Sequence, residues 1–292
     1  MTKKNTYIES YINHQKSTDK STSTLASYQS DLIQFAIWFE SINGMEMKLM
    51  NITPTDARQY KQYLIDSDLR PPTINRRLLS LKYFLEWGWD TKKIKDRFPL
   101  PKTVKNSQSM PKWLTRTQQN KLLRHVEQYG NKRDTAIVKI LLNTGLRVSE
   151  LCDVKWAHIT ISDRKGKLLV NAGKGCKYRE LPLNKDARLS LYNLDYTINA
   201  GSDVFVFKGQ RGKLGPRGVQ LMLNRLRFPD DLGAISPHQF RHTFCKNLVD
   251  AGISLEKVAS LAGHERLDTT KLYCQPSFDD LSEAVEKIGE LD

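Results

Sequence analysis

Apolar residues recur at helical spacing through most of the first hundred positions. Leu25, Tyr28, Leu32, Phe35, Ala36 and Phe39 fall on one stripe, which predicts an amphipathic helix over 23–42, ended by Asn43-Gly44. A second helix is expected from Thr53-Pro54, with the threonine as its cap and the proline at the first helical position. It carries Ala57, Tyr60, Tyr63 and Leu64. A third follows Pro71-Pro72 and runs through Ile74, Leu78, Leu81, Phe84, Leu85 and Trp87. Its other face bears Asn75, Arg76, Arg77 and Lys82, so the segment reads as a small all-helical domain with a basic side. Periodicity stops at 91–112, where Pro99, Pro101 and Pro111 are interleaved with lysines; this stretch reads as an extended connector.

Helical spacing resumes near 116–128 and 133–143. The period then changes. Leu168, Val170 and Ala172 alternate, Gly173-Lys174-Gly175 turns the chain, and Tyr178 to Leu183 alternates again. That pattern predicts a β-hairpin with a lysine at its tip. Val204 to Phe207 is expected to add a short strand, and helices follow near 216–227, 238–250, 254–262 and 267–273. The fold class is mainly α with a small antiparallel β-sheet. The expected boundaries are a helical domain over 1–100, a basic linker over 101–112 and a mixed α/β domain over 113–292 that ends in a helix at 279–292.

A chain of 292 residues can hold two domains with cores of their own. Its net charge of +14 points to a polyanionic partner, of which nucleic acid is the commonest. Residues 1–112 carry 18 basic and 11 acidic side chains and the remainder 28 and 21, so each part holds an excess of seven. The charge is therefore no basic tail, and both domains can face a phosphate backbone. The connector then has a second reading beside a solvated spacer, as a basic strap along DNA. No stretch approaches the roughly 18 apolar residues of a membrane span, and no apolar signal core follows Met-Thr-Lys-Lys, so no membrane partner and a cytoplasmic location are expected. Cys152, Cys176, Cys245 and Cys274 form no CxxC pair and read as free thiols. His238, His242 and Cys245 have helical metal-site spacing, but no further ligand completes the set, and no metal is expected.

The chemistry lies in five short stretches. Arg147 sits in Thr-Gly-Leu-Arg-Val-Ser-Glu-Leu, Lys174 in Gly-Lys-Gly, His238 and Arg241 in Pro-His-Gln-Phe-Arg-His, His264 in Leu-Ala-Gly-His, and Tyr273 nine residues later. Cleaving a phosphodiester without a metal needs fixed cations against the charge that gathers on the non-bridging oxygens. The planar fork of Arg147 or Arg241 suits two phosphate oxygens. Lys174 at a hairpin tip can protonate a leaving oxygen. No Ser-His-Asp or Cys-His set is visible, and a tyrosine beside basic groups is expected to lose its proton more easily. Each residue alone has a plainer account: Arg147 paired with Glu150, Lys174 a solvated turn residue, His238 and His264 at helix ends, Tyr273 in a core. Their joint occurrence in this order and spacing outweighs those accounts.

These motifs resemble those of the tyrosine recombinase (phage-integrase) family, in the layout of its compact Xer-like and resolvase-like members. The family's T-G-L-R-x-x-E-L box, G-K-G hairpin, H-x-L-R-H box, L-G-H box and C-terminal tyrosine are matched by Arg147, Lys174, His238 with Arg241, His264 and Tyr273. Thr73 to Ser80 resembles the last helix of the family's SAM-like DNA-clamping domain, and Pro111 to Thr115 the entry to its catalytic domain. Phe240 and Ala262 depart from the usual leucines, an apolar change that bears on packing. Lys177 shares the hairpin with Lys174, which holds the family position.

The resemblance implies that Arg147, Arg241 and His264 bind the scissile phosphate, that His238 assists as base or hydrogen-bond donor, and that Tyr273 forms a 3′-phosphotyrosine. Lys174 would protonate the 5′-hydroxyl, and a Holliday junction would form with neither ATP, metal nor other cofactor. Asn75, Arg76, Arg77, Lys82, Lys177 and Arg179 are candidate DNA contacts. The implied partners are a double-stranded recombination site and a homotetramer on two sites, docked through an acidic tail whose apolar stripe is Leu281, Ala284, Val285, Ile288 and Leu291. An accessory protein or second recombinase is a further implied partner. The competing readings are a type IB topoisomerase, a DNA-binding protein without catalysis and a metal-dependent nuclease. Roles in a mobile element, a plasmid or chromosome resolution share the same chemistry.

Overall fold

The computed structural model describes residues 5–18, 20–97, 99–105, 111–171, 178–264 and 266–274, together with Ser282, Val285 and Glu286. The chain divides into two compact units, 1–108 and 109–292.

The first unit is helical. Helix α1 (Thr6–Lys16) starts at Asn5, whose side chain accepts from the Tyr7 and Ile8 amides and donates to the Met47 carbonyl. Helix α2 (Thr22–Asn43) is capped by Ser21 and ends on Gly44 in the left-handed region at φ 64°. Helix α3 (Pro54–Asp66) opens with a reciprocal box, Thr53 and Asp56 each satisfying the other's backbone amide. Helix α4 (Pro71–Asp90) begins with proline at its first turn. Tyr11, Phe35, Phe39, Tyr60, Phe84 and Trp87 fill the core between them. The apolar pattern does not predict α1. Its buried face includes Gln15 as well as Ile8, Tyr11 and Ile12, so the apolar stripe is too short to stand out.

The connector also differs from expectation. Asn75 clamps Val104, donating to its carbonyl at 2.9 Å and accepting from its amide at 2.8 Å. Leu100 and Val104 pack on the helical core. Residues 99–105 are thus fastened to the first unit rather than free.

The second unit begins with α5 (Arg116–Tyr129), capped by a Thr115–Gln118 box, and α6 (Lys132–Thr144). Helix α7 (Val148–Asp153) leads to a three-stranded antiparallel sheet of β1 (Ile159–Ile161), β2 (Gly166–Asn171) and β3 (Tyr178–Pro182), in that order. Leu168 pairs with Ile159 on one side and Leu181 on the other, so the sheet sends one apolar row into the core. Helix α8 (Lys185–Tyr192) packs on α6, and α9 (Tyr196–Asn199) follows. The strand expected at 204–207 is a single bridge from Phe205 to Lys155; a two-residue hairpin, β4 (Lys208–Gly209) and β5 (Gly212–Lys213), comes after it. Helices α10 (Pro216–Arg225), α11 (Pro237–Asp250), α12 (Leu255–Ala262) and α13 (Leu267–Lys271) complete the unit, and one 3₁₀ turn, Leu272–Cys274, carries Tyr273. Helix α11 packs against α6, and Thr243 accepts from the Leu114 amide at 2.9 Å, which ties the start of the unit to α11. No helix among the described residues is long and apolar enough to cross a membrane. The hairpin tip with Lys174 and Lys177 and all but three residues of the expected 279–292 helix lie outside the described residues.

Candidate active site

Helix α11 is the spine of the site. Residues 238, 241, 242 and 245 are spaced i, i+3, i+4 and i+7, so His238, Arg241, His242 and Cys245 share one face. Beneath them runs the turn between α6 and α7. Gly145 ends α6 at φ 61°, and a Cβ there would meet the Phe244 ring at 2.2 Å, so only glycine fits. This close approach lets the Gly145 carbonyl accept from Arg241 Nη1 at 2.9 Å. Arg241 is 2% exposed, and its Nη2 has no hydrogen-bond partner among the described residues. A buried donor left in that state is costly unless a ligand completes it.

Arg147 stands two residues further along this turn. Its Nη1 donates to Glu150 Oε1 at 2.9 Å, its Nη2 to the Gly263 carbonyl at 3.0 Å, and its amide to Glu150 Oε2 at 2.8 Å. Arg179 of β3 forks onto both oxygens of the same carboxylate, each at 2.9 Å. Burial alone would raise the Glu150 carboxyl, but the hydrogen bonds from Arg179 and Arg147 outweigh it and hold it below its ordinary range. Gly263 ends α12 at φ 69°, where a Cβ would lie 2.8 Å from the Arg179 guanidinium carbon. Gly263 is thus a close-packing point for the Arg179 guanidinium and Gly145 one for the Phe244 ring. Two guanidiniums meet one carboxylate here and the third, Arg241, lies close by on the Gly145 carbonyl, which leaves two positive charges in excess among these four groups.

His264 follows Gly263 and engages the Thr270 hydroxyl through Nδ1 at 2.9 Å. Tyr273 is 1% exposed, among Cys245, Val258 and Ala262. Its ring lies parallel to that of His264, 6.4 Å between centroids, and its hydroxyl is 2.7 Å from His242 Nδ1. The His238 ring meets His242 edge-on at 4.4 Å. Burial lowers all three imidazoles, followed by Arg241 and Arg147 for His238 and His264 and by His238 and Arg241 for His242; His242 and His264 fall to about 4, so the three are neutral at pH 7. Burial raises the Tyr273 phenol, and Cys245 adds to the effect while Arg241 only partly opposes it. The expectation that basic neighbours ease its deprotonation is therefore corrected: in the DNA-free site, desolvation wins and the proton stays on the phenol.

The structure brings Arg147, His238, Arg241, His264 and Tyr273 together; Lys174 lies outside the described residues. Of the six residues read as DNA contacts, Lys177 lies outside too, and Arg179 points into the site with its side chain 13% exposed. Asn75 holds Val104, and Arg76 pairs with the buried Asp31, which Ser80 also supports. Arg77 approaches the same carboxylate at 4.0 Å, and the exposed Lys82 faces Glu86. Sequence reasoning missed His242 and Thr270 as site residues. For His242 the signal was present, since it lies on the His238 face of a predicted helix. Thr270 carried none. Among the described residues no cluster of three or more His, Cys, Asp or Glu is arranged to hold a metal.

Residues 8–91 match the profile of the phage integrase N-terminal SAM-like domain, and residues 112–279 that of the phage integrase family. The tyrosine recombinase XerC of Staphylococcus aureus (strain JH9) is 32% identical over 263 residues, 87% of this chain and 86% of that protein. XerC of Staphylococcus carnosus (strain TM300) is 31% identical over the same length. Among solved structures, the XerH site-specific recombinase bound to difH substrate superposes with a TM-score of 0.73 at 18% identity, covering 96% of this chain and 94% of that one. The Tn1549 transposon integrase in complex with circular intermediate DNA gives 0.68 at 21% identity, covering 97% and 99%. At these identities the structural likeness establishes the fold.

Proposed function

The chain belongs to the phage integrase family and is a tyrosine recombinase; from that premise we propose that it cuts and rejoins double-stranded DNA at a specific site, with the α11 cluster as its catalytic centre. The observation that carries the residue assignment is the buried, unpartnered Nη2 of Arg241 in a site with two excess positive charges and a neighbouring tyrosine hydroxyl. A phosphodiester supplies the acceptors that this arrangement lacks.

In this reading, Arg241 and Arg147 bind the non-bridging oxygens, and neutral His264 and His238 add hydrogen bonds. The Tyr273 oxygen attacks phosphorus as the bond to the 5′-oxygen breaks, giving a 3′-phosphotyrosine. Lys174 gives the departing oxygen its proton. The 5′-hydroxyl of a partner strand reverses the step and releases the tyrosine, so the energy of the broken bond is retained and a Holliday junction results. Burial of Arg241 and Tyr273 means that the DNA-free site must open for the phosphate to enter.

The same proposal includes assembly as a tetramer on two sites through residues 279–292, help from an accessory protein or a second recombinase, and action in the cytoplasm. It also includes a role in a mobile element, a plasmid or chromosome resolution. The relatives named as XerC recombinases and the neighbours solved on recombination DNA support it over a topoisomerase. A suicide DNA substrate tests it: wild type should trap a covalent adduct, and Tyr273→Phe should trap none. Adducts persisting in that variant would overturn the nucleophile assignment.

A further inference from the structure

We propose that His242 is a catalytic residue of this site, the immediate acceptor of the Tyr273 hydroxyl proton as the phenol attacks phosphorus. The proposal rests on the recombinase reading above and deepens it, giving the tyrosine's proton to a histidine other than His238, which the family resemblance offers as base or hydrogen-bond donor.

The geometry points to His242 rather than to the histidine that the motif singles out. His242 Nδ1 lies 2.7 Å from the Tyr273 oxygen, while His238 meets the other ring edge-on and has no hydrogen bond to the tyrosine. Both rings project from the same face of α11, one turn apart, and the one nearer Cys245 reaches the nucleophile. Tyr273 is buried and the bond partly so, which limits the access of bulk water to the proton. The groups around His242 are His238, Arg241 and Cys245 on its own helix, His264 after α12 and Tyr273 after α13.

Charge explains why the transfer waits for DNA. With the site empty, burial, His238 and Arg241 all keep the imidazole neutral, and burial keeps the phenol protonated. In the proposed transfer the neutral tautomer carries its proton on Nε2, so that Nδ1 accepts from the hydroxyl, against which Cys245 also lies. A bound phosphodiester brings one negative charge, and its pentavalent transition state carries a second. Those charges offset the guanidiniums that disfavour an imidazolium. As the oxygen–phosphorus bond forms, the proton moves from the phenol oxygen to His242 Nδ1. The electron pair of the breaking phosphorus–oxygen bond goes to the 5′-oxygen, which takes its proton from the acid opposite. Rejoining runs the same path backwards and returns the proton to Tyr273.

The test is single-turnover cleavage of a suicide substrate by the full-length protein, with tyrosine or a fluorinated tyrosine of lower pKa at position 273. General-base removal predicts a loss of about a hundredfold or more for His242→Leu. DNA affinity should be unchanged, and the cleavage rate of the variant should climb with pH where the wild-type rate is flat. Fluorotyrosine at 273 should recover at least about tenfold of that loss, because a more acidic phenol needs less help. His242→Asn, which keeps a polar atom near the Nδ1 position but takes no proton, should show the same dependence and serves if the leucine variant misfolds. A His242 variant that cleaves at or above the wild-type rate, or a loss of equal size with both tyrosines, overturns the inference. If wild type forms no Tyr273-dependent adduct, the recombinase reading fails and takes this inference with it; a normal wild-type adduct confines any failure to His242.

Discussion

Among the described residues Glu150 is the one carboxylate bonded to the guanidiniums of the site, and replacing it with glutamine isolates what it contributes. Its two oxygens accept four hydrogen bonds, two from the Arg179 fork and two from Arg147. An amide of the same shape keeps one acceptor and turns an NH₂ towards guanidinium donors. Glu150 and Arg179 are 9% and 13% exposed at their side chains, so this is a buried pair, and breaking one leaves an uncompensated charge at a cost of about 3–5 kcal/mol. Arg147 is 45% exposed and adds little of its own. Retaining one oxygen places Glu150→Gln near the lower bound, about 3 kcal/mol. For a unit of this size that corresponds to a fall in Tm of roughly 6–12 °C by calorimetry at pH 7. The pH dependence has a definite sign. The folded carboxyl sits below its ordinary value of 4.5, so its stabilisation is complete above pH 4.5 and is lost as pH falls through the lower, folded value. The gap between wild type and variant should therefore narrow below pH 4.5. Adduct formation should fall about tenfold, because Arg147 must share the one remaining acceptor with Arg179 and otherwise keeps only the Gly263 carbonyl as its anchor. An unchanged Tm with unchanged cleavage would refute the view that Glu150 holds the two guanidiniums in place.

Two further substitutions probe the backbone around the site and the connector. Gly145→Ala forces a left-handed residue at about 1–2 kcal/mol and drives a methyl against Phe244 at about 1–3 kcal/mol more; thermal unfolding should fall by several degrees, and a neutral result would mean that the turn relaxes freely. Asn75→Ala removes both hydrogen bonds to Val104, about 2 kcal/mol locally, so exchange of the Val104 amide should speed up roughly thirtyfold, and unchanged exchange would show that the clasp is redundant.

What was legible in the sequence follows from where the information sits. The face of α11 can be read because its spacing is a helical repeat, and the glycines at 145 and 263 because each stands within two positions of a candidate site residue. Helix α8 and strand β1 were not legible. The strand has three residues, and the helix buries only Ala187, Ser190 and Leu191, too little period to separate from a loop. Arg179 and Asn75 show a different limit. Both are polar residues in patterns that place them outside a core, and each is taken up by a partner distant in sequence, Glu150 and Val104. A helical wheel or a strand alternation reports which side a residue faces; it carries no information about what lies on that side.

The same limit bears on how the site stores its charge. Guanidiniums at 147, 179 and 241 would repel one another if held together for DNA alone, and Glu150 offsets part of that repulsion while leaving two charges unbalanced. The neutral histidines add donors and acceptors without adding to the excess. In the proposed reaction a phosphodiester with one charge relieves half of the imbalance, and the second negative charge of the transition state is matched by the proton that His242 takes up. The guanidiniums then favour the transition state because its added charge gathers on the oxygens they face, and any variant that removes Glu150 or a single guanidinium shifts that balance as well as the geometry.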